Sequence, residues 1–242
     1  MTVTAEERLL VALDVEGLAD ADRLLDRLAG LVGACKIGAQ LFTAAGPAAV
    51  EHARKRGFRV FLDLKFHDIP NTVAGAVRAA TRLGVCMLTV HASGGATMMR
   101  AAAAAAAAEG PGVPRPLCLG VTVLTSLDRA ELQRDLGLAR SVEAHVLHLA
   151  ELARAAGLDG CVASPREIRA LRNLLPPSWV IVTPGVRPAG GAADDQARTA
   201  TPAAAIAAGA DYLVVGRSIT GAPDPAAAAQ AILAEIHAAP HV

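Results

Sequence analysis

The sequence predicts an α/β fold, a closed (β/α)8 barrel built as a single domain over residues 1–242. Three observations predict it. Short apolar runs alternate with longer Ala/Leu/Arg-rich stretches from one end of the chain to the other, the pattern of strands and helices feeding a parallel sheet. The runs are apolar throughout, as strands buried on both faces are. Eight such units fit in 242 residues, close to the roughly 250 of a (β/α)8 barrel.

The units read in order as follows. The first strand-like run is Leu9 to Val15, LLVALDV, followed by an amphipathic helix from Leu18 to Leu28 with Arg and Asp on its outer face. VGACKIG, Val32 to Gly38, precedes a helix over about Leu41 to Arg56. FRVFLDLKF, starting at Phe58, leads to a helix from about Thr72 to Leu83. VCMLTVHA, Val85 to Ala92, leads into an Ala-rich segment; alanine is the best helix former, so helix is its physical reading. PLCLGVTVL, Pro116 to Leu124, precedes a helix near Val142 to Ala156. DGCVAS, Asp159 to Ser164, precedes a short helix near Arg166 to Leu174. WVIVTPG, Trp179 to Gly185, ends in a Gly/Pro-rich loop. DYLVVGR, Asp211 to Arg217, precedes a last helix near Pro225 to Ala238.

Composition excludes several classes of function. Lys plus Arg equals Asp plus Glu at 23 each, which argues against a nucleic-acid partner, since that needs a basic surface. Apolar runs are broken by charge well within the ~20 residues a membrane span requires, so no membrane association is expected. The N-terminus, MTVTAEERLL, is acidic before its first apolar run, unlike a secretory signal. No GxGxxG follows the first strand, which disfavours a dinucleotide fold. Cys35, Cys86, Cys118 and Cys161 are widely spaced in apolar runs, without zinc-type spacing, and read as buried reduced thiols of a cytoplasmic protein. His145 and His148, at i, i+3 on a helix, read as a solvated or interface face rather than a metal pair. His52, His237 and His241 read as surface residues, and Trp179 and Tyr212 as packing residues.

In such barrels chemistry gathers at the C-terminal ends of the strands. Polar residues fall there in nearly every unit: Asp14, Lys36, Asp63 with Lys65 and Asp68, His91, Thr125 with Ser126, Ser164, Arg187 and Arg217. Third-strand alternation puts Phe61, Asp63 and Lys65 on one face and Leu62 and Leu64 on the other. If the leucines pack outward on helices, Asp63 and Lys65 point into the barrel mouth. Burying an ionised pair costs several kcal/mol per ion before pairing offsets it. An alternating set of Lys and Asp offsets it and keeps each group ionised. Such a set suits proton chemistry at carbon, with Lys65 as a protonated donor. No P-loop, metal-type His cluster or PLP motif accompanies it, so neither cofactor nor metal is expected. PGVRP at Pro184 to Pro188, the Gly-rich loop through Gln196, and GRSI from Gly216 occupy the positions of a barrel phosphate site.

FLDLKFHDIPNT, Phe61 to Thr72, contains D-x-K-x-x-D as Asp63, Lys65 and Asp68. It resembles the signature of the orotidine 5′-phosphate decarboxylase family. LDV, KIG, VHASGG, LTS, PGVRP, DDQ (Asp194 to Gln196) and VVGRSIT follow in family order, so the resemblance covers almost the whole chain. The resemblance implies cofactor-independent decarboxylation of orotidine 5′-monophosphate to UMP, the last step of de novo pyrimidine synthesis, by a homodimer with its sites at the interface. It implies that Lys65 protonates C6, that Asp63 sits by the substrate carboxylate, and that Lys36 positions Asp63 and contacts the ribose. Asp14 would bind ribose hydroxyls. Asp68, Ile69 and Thr72 would reach the neighbouring subunit's site. Ser126, with Thr125 beside it, would read the pyrimidine amide edge; Gln196 would bridge base and phosphate. Arg187, Gly216 and Arg217 would hold the phosphate, and His91 would lie near the ribose wall. Two alternatives stand beside it. One is a related magnesium-dependent barrel enzyme such as 3-keto-gulonate-phosphate decarboxylase or hexulose-phosphate synthase, whose acidic ligand is expected where Lys36 lies. The other is a catalytically silent barrel acting as a binding protein.

Overall fold

A computed structural model describes residues 4–108, 112–188 and 200–240. Eight parallel strands close into a barrel in sequential order. They are β1 (Leu9–Ala12), β2 (Ala34–Gly38), β3 (Arg59–Phe66), β4 (Met87–His91), β5 (Leu117–Val121), β6 (Gly160–Val162), β7 (Val180–Pro184) and β8 (Tyr212–Val215). The β1–β8 pairing of Leu10 with Val214 completes the ring. Every strand lies within its expected run.

Side-chain alternation splits the core in two. Leu10, Ala12, Ala34, Phe61, Met87, Leu119, Val182 and Val214 point inward and fill the barrel. Leu9, Val11, Cys35, Ile37, Val60, Leu62, Leu88 and Ile181 point outward and join the layer beneath the helices. Burying one such side chain stabilises by roughly 1.5–3 kcal/mol. With 2% aromatics, both layers rely on many small aliphatic contacts instead of a few large rings.

The helices Leu18–Leu28 and Pro225–Ala238 have their expected bounds. The expected helix over Leu41 to Arg56 is two helices, Ala39–Ala45 and Pro47–Lys55. Gly46, at φ 57°, caps the first, and Pro47, which lacks an N–H, starts the second. Four further helices were not among the expected ones. Ala5–Arg8 and Arg129–Leu136 each begin with a capping box, from Thr4 with Glu7 and from Asp128 with Glu131. Pro202–Ala207 and Arg217–Thr220 flank β8. All four are too short for a clear 3.6-residue apolar repeat; a capping side chain was the signal available for three of them, and Arg217–Thr220 has none. β1 ends at Ala12, two residues before Asp14, so Asp14 stands on the loop above the strand.

Among the described residues no helix is long and apolar enough to cross a membrane. Cys35, Cys118 and Cys161 are buried and Cys86 is partly so; all four are free. Burial pushes the thiols of Cys35, Cys118 and Cys161 up to about 12, which makes them unreactive packing groups. Trp179 is buried and its indole N–H donates to Cys161 Sγ, a packing role. His52 pairs with Asp22, and His237 with the Leu233 carbonyl; His241 lies outside the described residues.

Candidate active site

Four charges form a chain across the mouth of the barrel. Lys65 Nζ lies 2.8 Å from Asp63 Oδ2. Lys36 Nζ lies 3.7 Å from the same oxygen and 3.1 Å from Asp14 Oδ1. Lys36 and Asp63 are only 8% and 9% exposed, while Asp14 faces solvent. Burial alone would raise the Asp63 pKa. The Lys65 and Lys36 ammoniums, helped by hydrogen bonds from Lys65 and Thr89, outweigh burial and hold the carboxyl below its usual range. Asp63 therefore stays ionised with both oxygens engaged.

Local structure makes this possible. A Cβ at Gly38 would come within 2.9 Å of Lys36 Nζ and 3.1 Å of Asp14 Oδ1, so glycine there keeps the space their pairing needs. On β3 the leucines pack outward, as the alternation requires. The alternation does not run unbroken to Lys65, however. The β3–β4 register shifts between Leu62 and Phe66, and Lys65 has φ 52°. Lys65 reaches the mouth through this irregularity. Thr89 Oγ1 lies between its backbone N–H and Asp63 Oδ1, at 2.9 Å from each. Thr89 was not singled out from the sequence. The available signal was one hydroxyl residue inside the apolar run MLTVH.

A cavity of about 540 Å³ opens at this end of the barrel. Asp14, Lys36, Asp63 and Lys65 line one side; Val121, Val123, Val162, Ala163, Pro184 and Val186 line the other. Thr125, Arg187, Gly216 and Arg217 also line it, as do Gln40, Ser218 and Thr220, which the sequence reading did not single out. A Cβ at Gly216 would meet only Ala12 Cβ, at 3.6 Å, so protein packing does not demand glycine there. Asp68, Ile69, Thr72, His91 and Ser126 do not line the cavity. Asp68 Oδ1 instead accepts from the Ile69 N–H at 2.6 Å, and Ile69 is 68% exposed. His91 packs its ring 5.3 Å from that of His67. Burial, then the neighbouring His67 and Lys65 charges, hold its pKa down against the pull of Asp63. Ser164 caps the turn Pro165–Glu167 through its hydroxyl. Gln196 lies outside the described residues. Among the described residues no group of three or more His, Cys, Asp or Glu could hold a metal ion.

The model of the "Orotidine 5'-phosphate decarboxylase / HUMPS family" matches residues 7–232. The chain belongs to this family. A relative named orotidine 5′-phosphate decarboxylase from Moorella thermoacetica is 59% identical, over 96% of this chain and 93% of its own. One of the same name from Halorhodospira halophila is 57% identical over 99% of this chain and 100% of its own. The crystal structure of orotidine 5′-phosphate decarboxylase from Lactobacillus acidophilus superposes with a TM-score of 0.86 at 36% identity. The match covers 96% of this chain and 100% of that one. The resemblance read from FLDLKFHDIPNT and its flanking motifs, and the barrel predicted from the alternating runs, are thus borne out.

Proposed function

We propose that the chain decarboxylates orotidine 5′-monophosphate to UMP in pyrimidine biosynthesis, with Lys65 as the proton donor to C6. Family membership, and relatives of that name at 50–59% identity, support the reaction. One observation carries the mechanism: Lys65 Nζ sits 2.8 Å from an ionised, nearly buried Asp63 at the floor of an open cavity.

The C6–carboxyl bond breaks and its electron pair stays on C6 as carbon dioxide leaves. An N–H of Lys65 then supplies the proton to C6, and solvent reprotonates the amine. The vinyl-type carbanion has no conjugated sink, so preorganised charge must stabilise it. Enzymes as a class lower barriers by roughly 8–23 kcal/mol, and this reaction needs the upper part of that range. Asp63 faces the substrate carboxylate and destabilises it in the ground state. Lys36 holds Asp63 and, with Asp14, contacts the ribose. Arg187 and Arg217 pair with the phosphate, which approaches the backbone at Gly216. Thr125 and Ser126 read the base edge, Gln196 bridges base and phosphate, and His91 stands behind the ribose. Binding energy from the remote phosphate is available for strain at C6.

The reading includes a homodimer and a cytoplasmic location. Asp68, Ile69 and Thr72 lie outside their own cavity, and a large apolar side chain is exposed among them. That placement supports their reaching a second subunit's site. Mixing an Asp68 variant with a Lys65 variant should then restore part of the activity through hybrid dimers. No recovery, with subunit exchange verified, would exclude a shared site. The reaction itself is tested by following the absorbance of orotidine 5′-monophosphate with enzyme treated with EDTA. Full turnover is expected. Activity only with magnesium and a phosphosugar would place the chain with the metal-dependent relatives instead.

A further inference from the structure

We infer that Thr89 is a positioning residue that sets the geometry of the Asp63–Lys65 pair, an inference that rests on Lys65 being the proton donor. Three independent features of the backbone meet at its hydroxyl. First, Leu62 pairs with Leu88 and Phe66 with Val90, so four residues of β3 advance against two of β4. The surplus falls on Asp63, Leu64 and Lys65. Second, Lys65 has φ 52°, and no other non-glycine residue among those described has a positive φ. A side chain tolerates that conformation only where its surroundings impose it. Third, the Lys65 N–H donates to a side chain of the neighbouring strand, Thr89 Oγ1.

The same hydroxyl donates to Asp63 Oδ1, leaving Oδ2 for the lysine ammoniums. One oxygen atom thus ties the backbone of the donor lysine to the carboxylate that aims it. Thr89 is fully buried, so water does not compete for either bond. It does not line the cavity and cannot touch substrate. Its place on β4 is one inward step above Met87, which belongs to the barrel interior. Valine has a similar branched shape without the hydroxyl, so it separates the two hydrogen bonds from packing.

The test compares T89V with T89S. T89V keeps the branched shape and removes both hydrogen bonds; T89S keeps the hydroxyl. Misplacing a reacting group by about 1 Å costs on the order of 10²-fold, so kcat of T89V should fall roughly 10–100-fold with KM within about 2-fold. T89S should recover to within about 3-fold of the parent if the hydroxyl is the operative group. The pH profile adds a readout that packing alone would not move. Losing the Thr89 hydrogen bond raises the Asp63 pKa, so the acid limb of kcat in T89V should move to higher pH. A T89V rate equal to the parent, or a T89S rate as low as that of T89V, would overturn the inference. If T89V does not fold, T89A replaces it, and equal rates for T89A and T89S would overturn the inference equally. Lys65→Ala belongs in the same series. Retained turnover there would sink the proton-donor reading itself, whereas loss there with a normal T89V removes Thr89 alone.

Discussion

Two polar cavities of similar size lie at opposite ends of the barrel, and their charges are used in opposite ways. The cavity at the N-terminal ends of the strands, about 580 Å³, is lined by Arg8, Arg169, Arg172 and Asp211. The mouth, at about 540 Å³, is slightly smaller. By volume and arginine content the first would be the better anion site. Three of its charges, Arg8, Arg172 and Asp211, are nevertheless engaged by the protein itself. Arg172 donates to the carbonyls of Gly209 and Trp179 and pairs with Asp211, which also accepts from the Ile181 N–H. Arg8 donates to the carbonyls of Ala210 and Asp211. Arg8 and Arg172 satisfy carbonyls in the segments that lead into β7 and β8. In the mouth, Lys36, Asp63 and Lys65 pair with one another beside open space. What distinguishes a site is therefore the company its charges keep, and volume is a poor guide.

The comparison can be broken from either end. Lys65→Ala should lower kcat by at least about 10³-fold, because it removes both a proton donor and a preorganised charge. The melting temperature should stay near that of the parent, since Lys65 is partly exposed at the rim. Near-normal kcat would end the proposed mechanism. Arg217→Ala should raise KM for orotidine 5′-monophosphate roughly 10–100-fold, the worth of a charge-assisted phosphate contact. An unchanged KM would remove Arg217 from the phosphate site. Arg172→Ala should do the reverse. Leaving the Gly209 and Trp179 carbonyls without their donor and Asp211 without its cation costs about 2–3 kcal/mol. For a chain this long that lowers the melting temperature by roughly 5–10 °C. Its kcat and KM at 25 °C should match the parent; a loss of activity without loss of stability would mean the lower cavity takes part in function.

Most of the fold was legible because barrel strands are continuous apolar runs and the helices between them are amphipathic. The misses have local causes. The break at Gly46–Pro47 was written in the residues but hidden inside an otherwise helical stretch. The short capped helices carried no period to read. Charge placement at the mouth was legible because Asp63 and Lys65 are conspicuous in a run of Phe and Leu. The distortion that delivers Lys65 was not, since a register shift depends on two strands at once. Simple alternation put Lys65 on the correct side, yet the side chain arrives there with φ 52° and a hydroxyl holding its amide. Thr89 went unread for the same reason: its importance lies in its partners, 24 and 26 residues away in the chain.

The central claim is that Lys65, aimed by Asp63 at the mouth of the barrel, delivers the proton to C6. The most direct measurement is a crystal structure with UMP bound. The account predicts the base in the mouth with C6 within about 3.5 Å of Lys65 Nζ, the reach of a productive contact, and the phosphate against Arg187, Gly216 and Arg217. UMP seated at the Arg8–Arg172 cavity, or in the mouth with C6 turned away from Lys65, would contradict it.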